Sequence, residues 1–348
     1  MNQQSPPGTG GAPLLAMTDI ERVFGGERKL FGGHNPAVHA VQGVSLDVKR
    51  GETLGVVGES GCGKSTLARL VTGLDHPTAG TITFEGQDLG ALSRKDRKAL
   101  ASKVQYVFQD PVASLNPRKT IRSILEAPLK HLTRLDADGR EKRLADMLQA
   151  VNLSPEFLER YPHEFSGGQA QRIGIARALA AKPELIVLDE PVSALDVSVQ
   201  AQVLNLLDDL KAQFGLTYIF ISHDLSVVES VSDRVAVMYF GRLAEVGPAR
   251  EVFRAPLHPY TDLLMRSAPA PGRHNLMSED AAAELPDPYN PPKGCAFAAR
   301  CGQATSLCLA EKPAPDAAKG TDDAHFAACH HPLAPAEAVK ANVAPDTT

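Results

Sequence analysis

Apolar positions along the chain fall into three patterns, and each predicts a different kind of element. Continuous short runs come first: Thr53-Leu-Gly-Val-Val57, Leu185-Ile-Val-Leu188 and Thr217-Tyr-Ile-Phe-Ile221. Strands of that type are covered on both faces, as in the middle of a parallel sheet. Strict alternation from Ala37 to Val48 predicts a half-exposed antiparallel strand. Leu14 to Phe24, Thr81 to Gly86 and Val104 to Phe108 read as further strands, and Arg234–Tyr239 with Arg242–Val246 as a hairpin around Gly241. Helical spacing dominates from Thr120 to Arg160: Ile121, Ile124, Leu125 and Leu129 share one face, Leu144, Met147, Leu148 and Val151 another. Other helices are predicted over Leu67–Leu74, Ser93–Ala101, Val197–Phe214, Asp224–Val231, Arg250–Phe253 and Pro259–Ser267, and after Ser166. The expected fold is α/β, with an antiparallel β portion and a helical insertion.

Composition changes that picture only at the ends. Residues 1–13 are rich in Pro, Gly and Gln and read as a disordered tail. Ala268-Pro-Ala-Pro-Gly reads as a linker, residues 268–334 as a small cysteine-bearing unit, and 335–348 as an Ala/Pro-rich disordered tail. The net charge of −5 over 348 residues argues weakly against a protein that coats nucleic acid. No apolar stretch approaches the roughly 18–20 residues that span a bilayer, and the start lacks the features of a signal peptide. The expectation is a cytoplasmic protein whose membrane role, if any, comes through a partner.

The chemistry gathers around Gly58-Glu59-Ser60-Gly61-Cys62-Gly63-Lys64-Ser65-Thr66. A glycine-rich turn between a buried strand and a helix lets backbone N–H groups converge on phosphate oxygens at a helix N-terminus. Lys64 would reach the β- and γ-phosphates, and the Ser65 hydroxyl would ligate Mg²⁺. Asp189 ends an apolar strand, where it would hold Mg²⁺ through the metal's water shell. Glu190 follows it and can polarise an attacking water. Ser166-Gly167-Gly168-Gln169 opens a helix and forms a second phosphate site, although a plain helix cap would also use Ser166. One nucleotide needs one such loop, so the second site implies two copies face to face.

This set, together with Gln109, Ser193-Ala-Leu-Asp196 and His223, resembles the nucleotide-binding subunit of an ATP-binding-cassette (ABC) transporter over about residues 14–260. The resemblance implies a P-loop NTPase fold of ABC type over 14–267, with a helical subdomain at about 115–180 and bound ATP and Mg²⁺. By the same resemblance Gln109 contacts Mg²⁺ and water and lies where a membrane subunit docks. Asp196 belongs to the loop that couples two sites across a dimer, and His223 contacts the γ-phosphate. Phe24 is the candidate for stacking on adenine, with Phe31 as its rival. Gln109-Asp-Pro-Val-Ala-Ser-Leu-Asn-Pro-Arg118, His258-Pro-Tyr-Thr261 and Pro291-Pro-Lys-Gly-Cys-Ala-Phe-Ala-Ala-Arg-Cys301 narrow it to the dipeptide/oligopeptide importer branch. That branch implies a peripheral place on the cytoplasmic face of the inner membrane. It also implies a heterodimer with a sister ATPase, two transmembrane permease subunits and an extracytoplasmic peptide-binding protein, with no nucleic acid. The rival reading is a soluble cassette ATPase of DNA repair or translation.

Four of the five cysteines, Cys295, Cys301, Cys308 and Cys329, follow the spacing C-x5-C-x6-C-x20-C. Four thiols in a short Pro-rich segment fit a tetrahedral zinc site, an iron–sulfur cluster, or free or paired thiols. The peptide-importer resemblance implies a [4Fe–4S] cluster. Cys62 reads as a small residue tolerated within the loop.

Overall fold

The computed structural model describes residues 12–26, 36–110, 112–267, 285–316, 318–320 and 324–333. Both predicted tails, the linker after Ala268 and Phe31 lie outside these described residues, entirely or in all but a residue or two. The N-terminal part is a four-stranded antiparallel sheet. It is built from β1 (Leu15–Gly25), β2 (Ala37–Val48), β4 (Ala79–Phe84) and β5 (Gln87–Asp88), in the order β2-β1-β4-β5. Its alternation is as expected, with Val44, Leu46 and Val48 turned inward.

The larger sheet carries the site. It contains β3 (Thr53–Val57), β6 (Val104–Val107), β7 (Leu185–Asp189), β8 (Thr217–Ile221), β9 (Arg234–Tyr239) and β10 (Arg242–Pro248). Two short strands, β11 (Ala318–Lys319) and β12 (Phe326–Ala327), complete the order β11-β12-β10-β9-β3-β8-β7-β6. β6, β7, β8, β3 and β9 run parallel, and β10 returns antiparallel. The continuous apolar runs are explained by burial on both faces. Leu54, Val56, Val187, Ile219 and Ile221 pack toward β1, β2 and helix α1 (Lys64–Val71). Val57, Ile186, Leu188 and Phe220 face the other way, into the helical side. That side holds α3 (Ile121–Leu132), α4 (Ala137–Ala150), α5 (Gly167–Leu179) and α6 (Val197–Phe214), while α2 (Arg94–Lys103) leads into β6.

Of the segment expected as a separate cysteine-bearing unit, the described part joins the main sheet. β12 pairs antiparallel with β10, Glu245 opposite Ala327, and β11 pairs with β12. Phe297 enters the core on the side that also holds α7 (Leu225–Val231), α8 (Ala249–Arg254) and α9 (Pro259–Ser267), and meets Tyr239 and Tyr260 at ring distances of 5.3 and 5.4 Å.

Candidate functional site

β3 delivers the chain into the glycine loop at its C-terminal end. Gly58 has φ +151°, and a Cβ there would lie 2.1 Å from the Met238 carbonyl oxygen. Gly63 has φ +105° and caps α1, with the Ala40 carbonyl oxygen 2.4 Å from where its Cβ would be. Both positions demand glycine. The helix predicted from Leu67 starts three residues earlier, so Lys64 and Ser65 are already helical and stand at the dipole's positive end. Lys64 is buried and donates to the carbonyls of Gly58 at 2.7 Å and Glu59 at 3.0 Å. Its ammonium therefore sits over the loop.

β7 lies next to β8, and its end brings the two acids up to the loop. Ser65 Oγ donates to Asp189 Oδ1 at 3.3 Å. Tyr106, from β6, donates its hydroxyl to Asp189 Oδ2 at 2.5 Å. Burial, reinforced by that carboxylate, pushes the Tyr106 pKa well above its ordinary value, so the phenol stays protonated and donates to Asp189. Glu190 occupies the left-handed region, φ +47°, and its N–H donates to Ile221 O at 2.9 Å. Turned this way, its carboxylate takes Gln109 Nε2 on Oε2 at 2.8 Å, with His223 Nδ1 3.1 Å from Oε1. Glu190 is thus the hub that joins the ends of β6, β7 and β8. An acid so placed, a serine beside a second acid and a buried lysine over a glycine turn are groups that could hold a phosphate chain, a divalent cation and a water.

The comparisons with known proteins give the family. The ABC transporter family profile matches residues 41–193, and the profile for the oligopeptide/dipeptide transporter C-terminal region matches 244–308. The oligopeptide transport ATP-binding protein AppF of Bacillus subtilis (strain 168) is 50% identical over 321 residues, 91% of this chain and 97% of that protein. The chain belongs to the ABC transporter ATP-binding family. The di/tripeptide transport ATP-binding protein DppF of Pseudomonas aeruginosa is 48% identical, covering 91% of this chain and 97% of its own length. Among solved structures, the dimeric ATP-binding cassette MJ0796 bound to ADP and Pi superposes with a TM-score of 0.60. It is 29% identical and covers 68% of this chain and 99% of that one. This ABC protein is accordingly an ATPase by family.

The serine–glycine turn of this ABC protein is also a capping box. Ser166 Oγ accepts from Gln169 N–H at 3.4 Å, and Gln169 Oε1 accepts from Ser166 N–H at 3.1 Å. Gly168 has a packing reason as well, since a Cβ there would lie 2.5 Å from Val199 Cγ1 of α6. Asp196 stands at the N-terminus of α6 without capping it through its side chain. The loop before it is held by Ser193 Oγ, which donates to Glu190 O at 3.1 Å, and by Gln200, whose amide donates to Val192 O and Leu195 O. Phe24 is exposed at the end of β1, with the Arg22 guanidinium 4.4 Å from its ring centroid.

The four tail cysteines are free thiols in one neighbourhood. Cys295 N–H donates to Cys308 O at 2.7 Å. Burial raises the pKa of Cys295 and Cys301, and pushes Cys329 up to about 11 with the other three thiols adding to the rise. The three nearby histidines are bonded elsewhere. His325 Nε2 meets Glu245 at 2.7 Å, His331 meets the Thr305 hydroxyl at 2.9 Å, and His330 meets Glu311 O at 3.1 Å. Among the described residues, no three His, Cys, Asp or Glu side chains converge closely enough to hold a single metal ion. Cys62 is buried in the core beneath the loop.

Sequence reasoning missed Tyr106 and Gln200, which bond the acid and the loop, and two residues that bond Glu59: Tyr260 and Arg300. Tyr260 lies in His258-Pro-Tyr-Thr261 and Arg300 beside Cys301. Only the fold brings either of them to the loop.

Proposed function

We propose that this chain is one of the two ATPase subunits of a di- or oligopeptide importer, seated on the cytoplasmic face of the cell membrane. The observation that carries the reading is Glu190, held between Gln109 and His223 beside the Ser65–Asp189 pair. In this reading Lys64 and the loop amides hold the β- and γ-phosphates of ATP, and Ser65, Asp189 and Gln109 hold Mg²⁺. Glu190 orients and deprotonates the attacking water, and His223 steadies the γ-phosphate. Ser166–Gln169 close over the partner's nucleotide, and Asp196 lies at the seam. The dimer is supported by the dimeric cassette this fold resembles.

The partners follow from relatives named for oligopeptide and dipeptide transport. They are a sister ATPase, two permeases and an extracytoplasmic peptide-binding protein. Exposed Phe108 and Val112 flank Gln109 and offer an apolar face for permease helices. No helix among the described residues is long and apolar enough to cross a membrane. The DNA-repair or translation alternative is not favoured by those relatives. For Cys295, Cys301, Cys308 and Cys329 the support is the likeness of this segment to the oligopeptide/dipeptide transporter C-terminal region, which covers the first three of them. In this reading they hold a [4Fe–4S] cluster that clamps the tail. Iron and acid-labile sulfide in anaerobically purified protein would support that cluster, and their absence would remove it.

The test of function is reconstitution with the sister ATPase and permeases in proteoliposomes. ATP hydrolysis should rise when peptide-loaded binding protein is added. Hydrolysis indifferent to permeases, or stimulated by DNA or ribosomes, would reject the importer.

A further inference from the structure

The second residue of the phosphate loop is bonded to the far end of the chain. Glu59 N–H donates to Tyr260 Oη at 2.9 Å, and Glu59 O accepts from Lys64 Nζ at 3.0 Å. The Glu59 carboxylate takes both prongs of Arg300, Nη1 on Oε2 and Nη2 on Oε1, each at 2.8 Å. All three polar ends of this residue are therefore engaged. Its loop neighbours Ser60 and Gly61 are exposed. Glu59 is the loop's one carboxylate, and a carboxylate beside a triphosphate repels it unless a cation neutralises it.

Arg300 is built for that task. Its side chain is 5% exposed, and its guanidinium lies 5.8 Å from the ring centroids of both Tyr239 and Phe297. Nη1 also approaches Tyr239 Oη at 3.5 Å. The residue ends the turn Ala298–Arg300 and directly precedes Cys301. A buried ion pair is weak evidence for stability, because desolvation offsets most of the attraction. A planar two-pronged bond does fix direction, and here it fixes a loop whose glycines have little stiffness of their own.

We propose that Arg300 is a positioning residue for the nucleotide: it aims and neutralises Glu59, so that the cysteine-bearing segment forms part of the ATP site. The inference rests on the reading that Gly58–Thr66 binds ATP. It predicts a particular ranking among variants. Arg300→Met leaves the Glu59 charge unmatched beside the phosphates and weakens ATP binding. Glu59→Gln in the Arg300→Met background removes that charge and restores part of the affinity.

The measurement is ATP affinity of the full-length chain, together with a split of KM from kcat in the assembled ATPase. Arg300→Met should raise the ATP Kd about 5–10-fold and raise KM more than it lowers kcat, and the deficit should shrink at high salt. The double variant should return to within about threefold of wild type. Arg300→Lys, which keeps the charge with one prong, should fall between them. Circular dichroism checks that each variant is folded. If Arg300→Met fails to fold, Arg300→Lys with and without Glu59→Gln decides the matter by the same ranking. An ATP Kd within twofold of wild type in folded Arg300→Met, or a double variant worse than either single one, overturns the proposal. Lys64→Ala separates the two readings. If it leaves ATP binding unchanged, the nucleotide loop itself is misassigned. If it abolishes binding while Arg300→Met does not weaken it, only the role of Arg300 falls.

Discussion

Glu190 carries a geometry that its residue type disfavours. A positive φ costs a non-glycine side chain of order 1 kcal/mol or more, and such strain persists only where the surroundings over-determine it. Here the Ile221 carbonyl, Gln109 and His223 do so. Glu190→Gln keeps the shape and the Gln109 side of the contact but loses the base proposed for the attacking water. Hydrolysis should fall by about 10²–10⁴-fold while ATP binding is kept. The check is single-turnover hydrolysis, with the sister subunit silenced, beside an ATP-binding titration. Tyr106→Phe tests the neighbouring acid. It removes a donor from buried Asp189 and should lower stability by about 1–3 kcal/mol in urea unfolding. An unchanged midpoint would show that the bond is already matched by water. The residues in local motifs were legible beforehand because their spacing along the chain is itself the signal. Tyr106 and Arg300 were not, since a lone Tyr on a strand or Arg before a Cys has no meaning until the fold supplies its partner.

Among the elements, α5 and α6 meet in a tight glycine contact. The Gly168 Cα faces Val199 with no room for a methyl group. Gly168→Ala should force the two helices apart and cost on the order of 1–3 kcal/mol, and Val199→Ala in the same chain should recover most of it. Thermal melts of the two single variants and the double one check this. A neutral Gly168→Ala would mean that the pair shifts freely. The same contact explains a limit of sequence reading. Gly167-Gly168 reads in the sequence as a turn for phosphate, yet one of those glycines has a packing role that no linear pattern reveals. Long apolar runs were legible because burial on both faces leaves an unbroken signature, as in Leu185–Asp189 and Thr217–Ile221. The two-residue strands β5, β11 and β12 have no period to read, so their place came only with the pairing.

For the whole molecule, the described tail is bound into the sheet through a buried polar knot. Glu245 accepts from the N–H groups of Leu257 and His258 at 2.8 and 2.9 Å, and also meets His325. His258 accepts from Tyr260 N–H through Nδ1 at 3.0 Å and packs against Phe297. Full burial lowers its pKa to about 4 from an ordinary 6.5, against a smaller opposing pull from Glu245. Between pH 6.5 and 4 the unfolded chain takes a proton that the folded chain refuses, so stability falls as pH drops through that window. The loss is of order 3 kcal/mol by pH 4. His258→Gln should flatten this part of the pH profile relative to wild type in thermal unfolding, even if it melts lower overall. Parallel profiles would exclude His258 as the source. The extent of this union was not legible in the sequence. Composition shifts at Ala268, and nothing local says that Phe326 and Ala327 will pair with a strand some eighty residues earlier.

The place of β3 in the middle of the sheet has a consequence for the birth of the protein. Thr53 pairs with Tyr218, and Leu54 with Ile219 on one side and Arg234 on the other. Translation at about 5–20 residues per second makes β3 early, then leaves it without either neighbour for on the order of ten seconds or more. During that interval the strand that leads into the glycine loop is an apolar segment with two unpaired edges, open to adhesion with other nascent chains. Its short length and the glycine at its centre limit that hazard. The nucleotide loop therefore waits for its sheet until β8 and β9 slot in on either side of a strand that left the ribosome long before them.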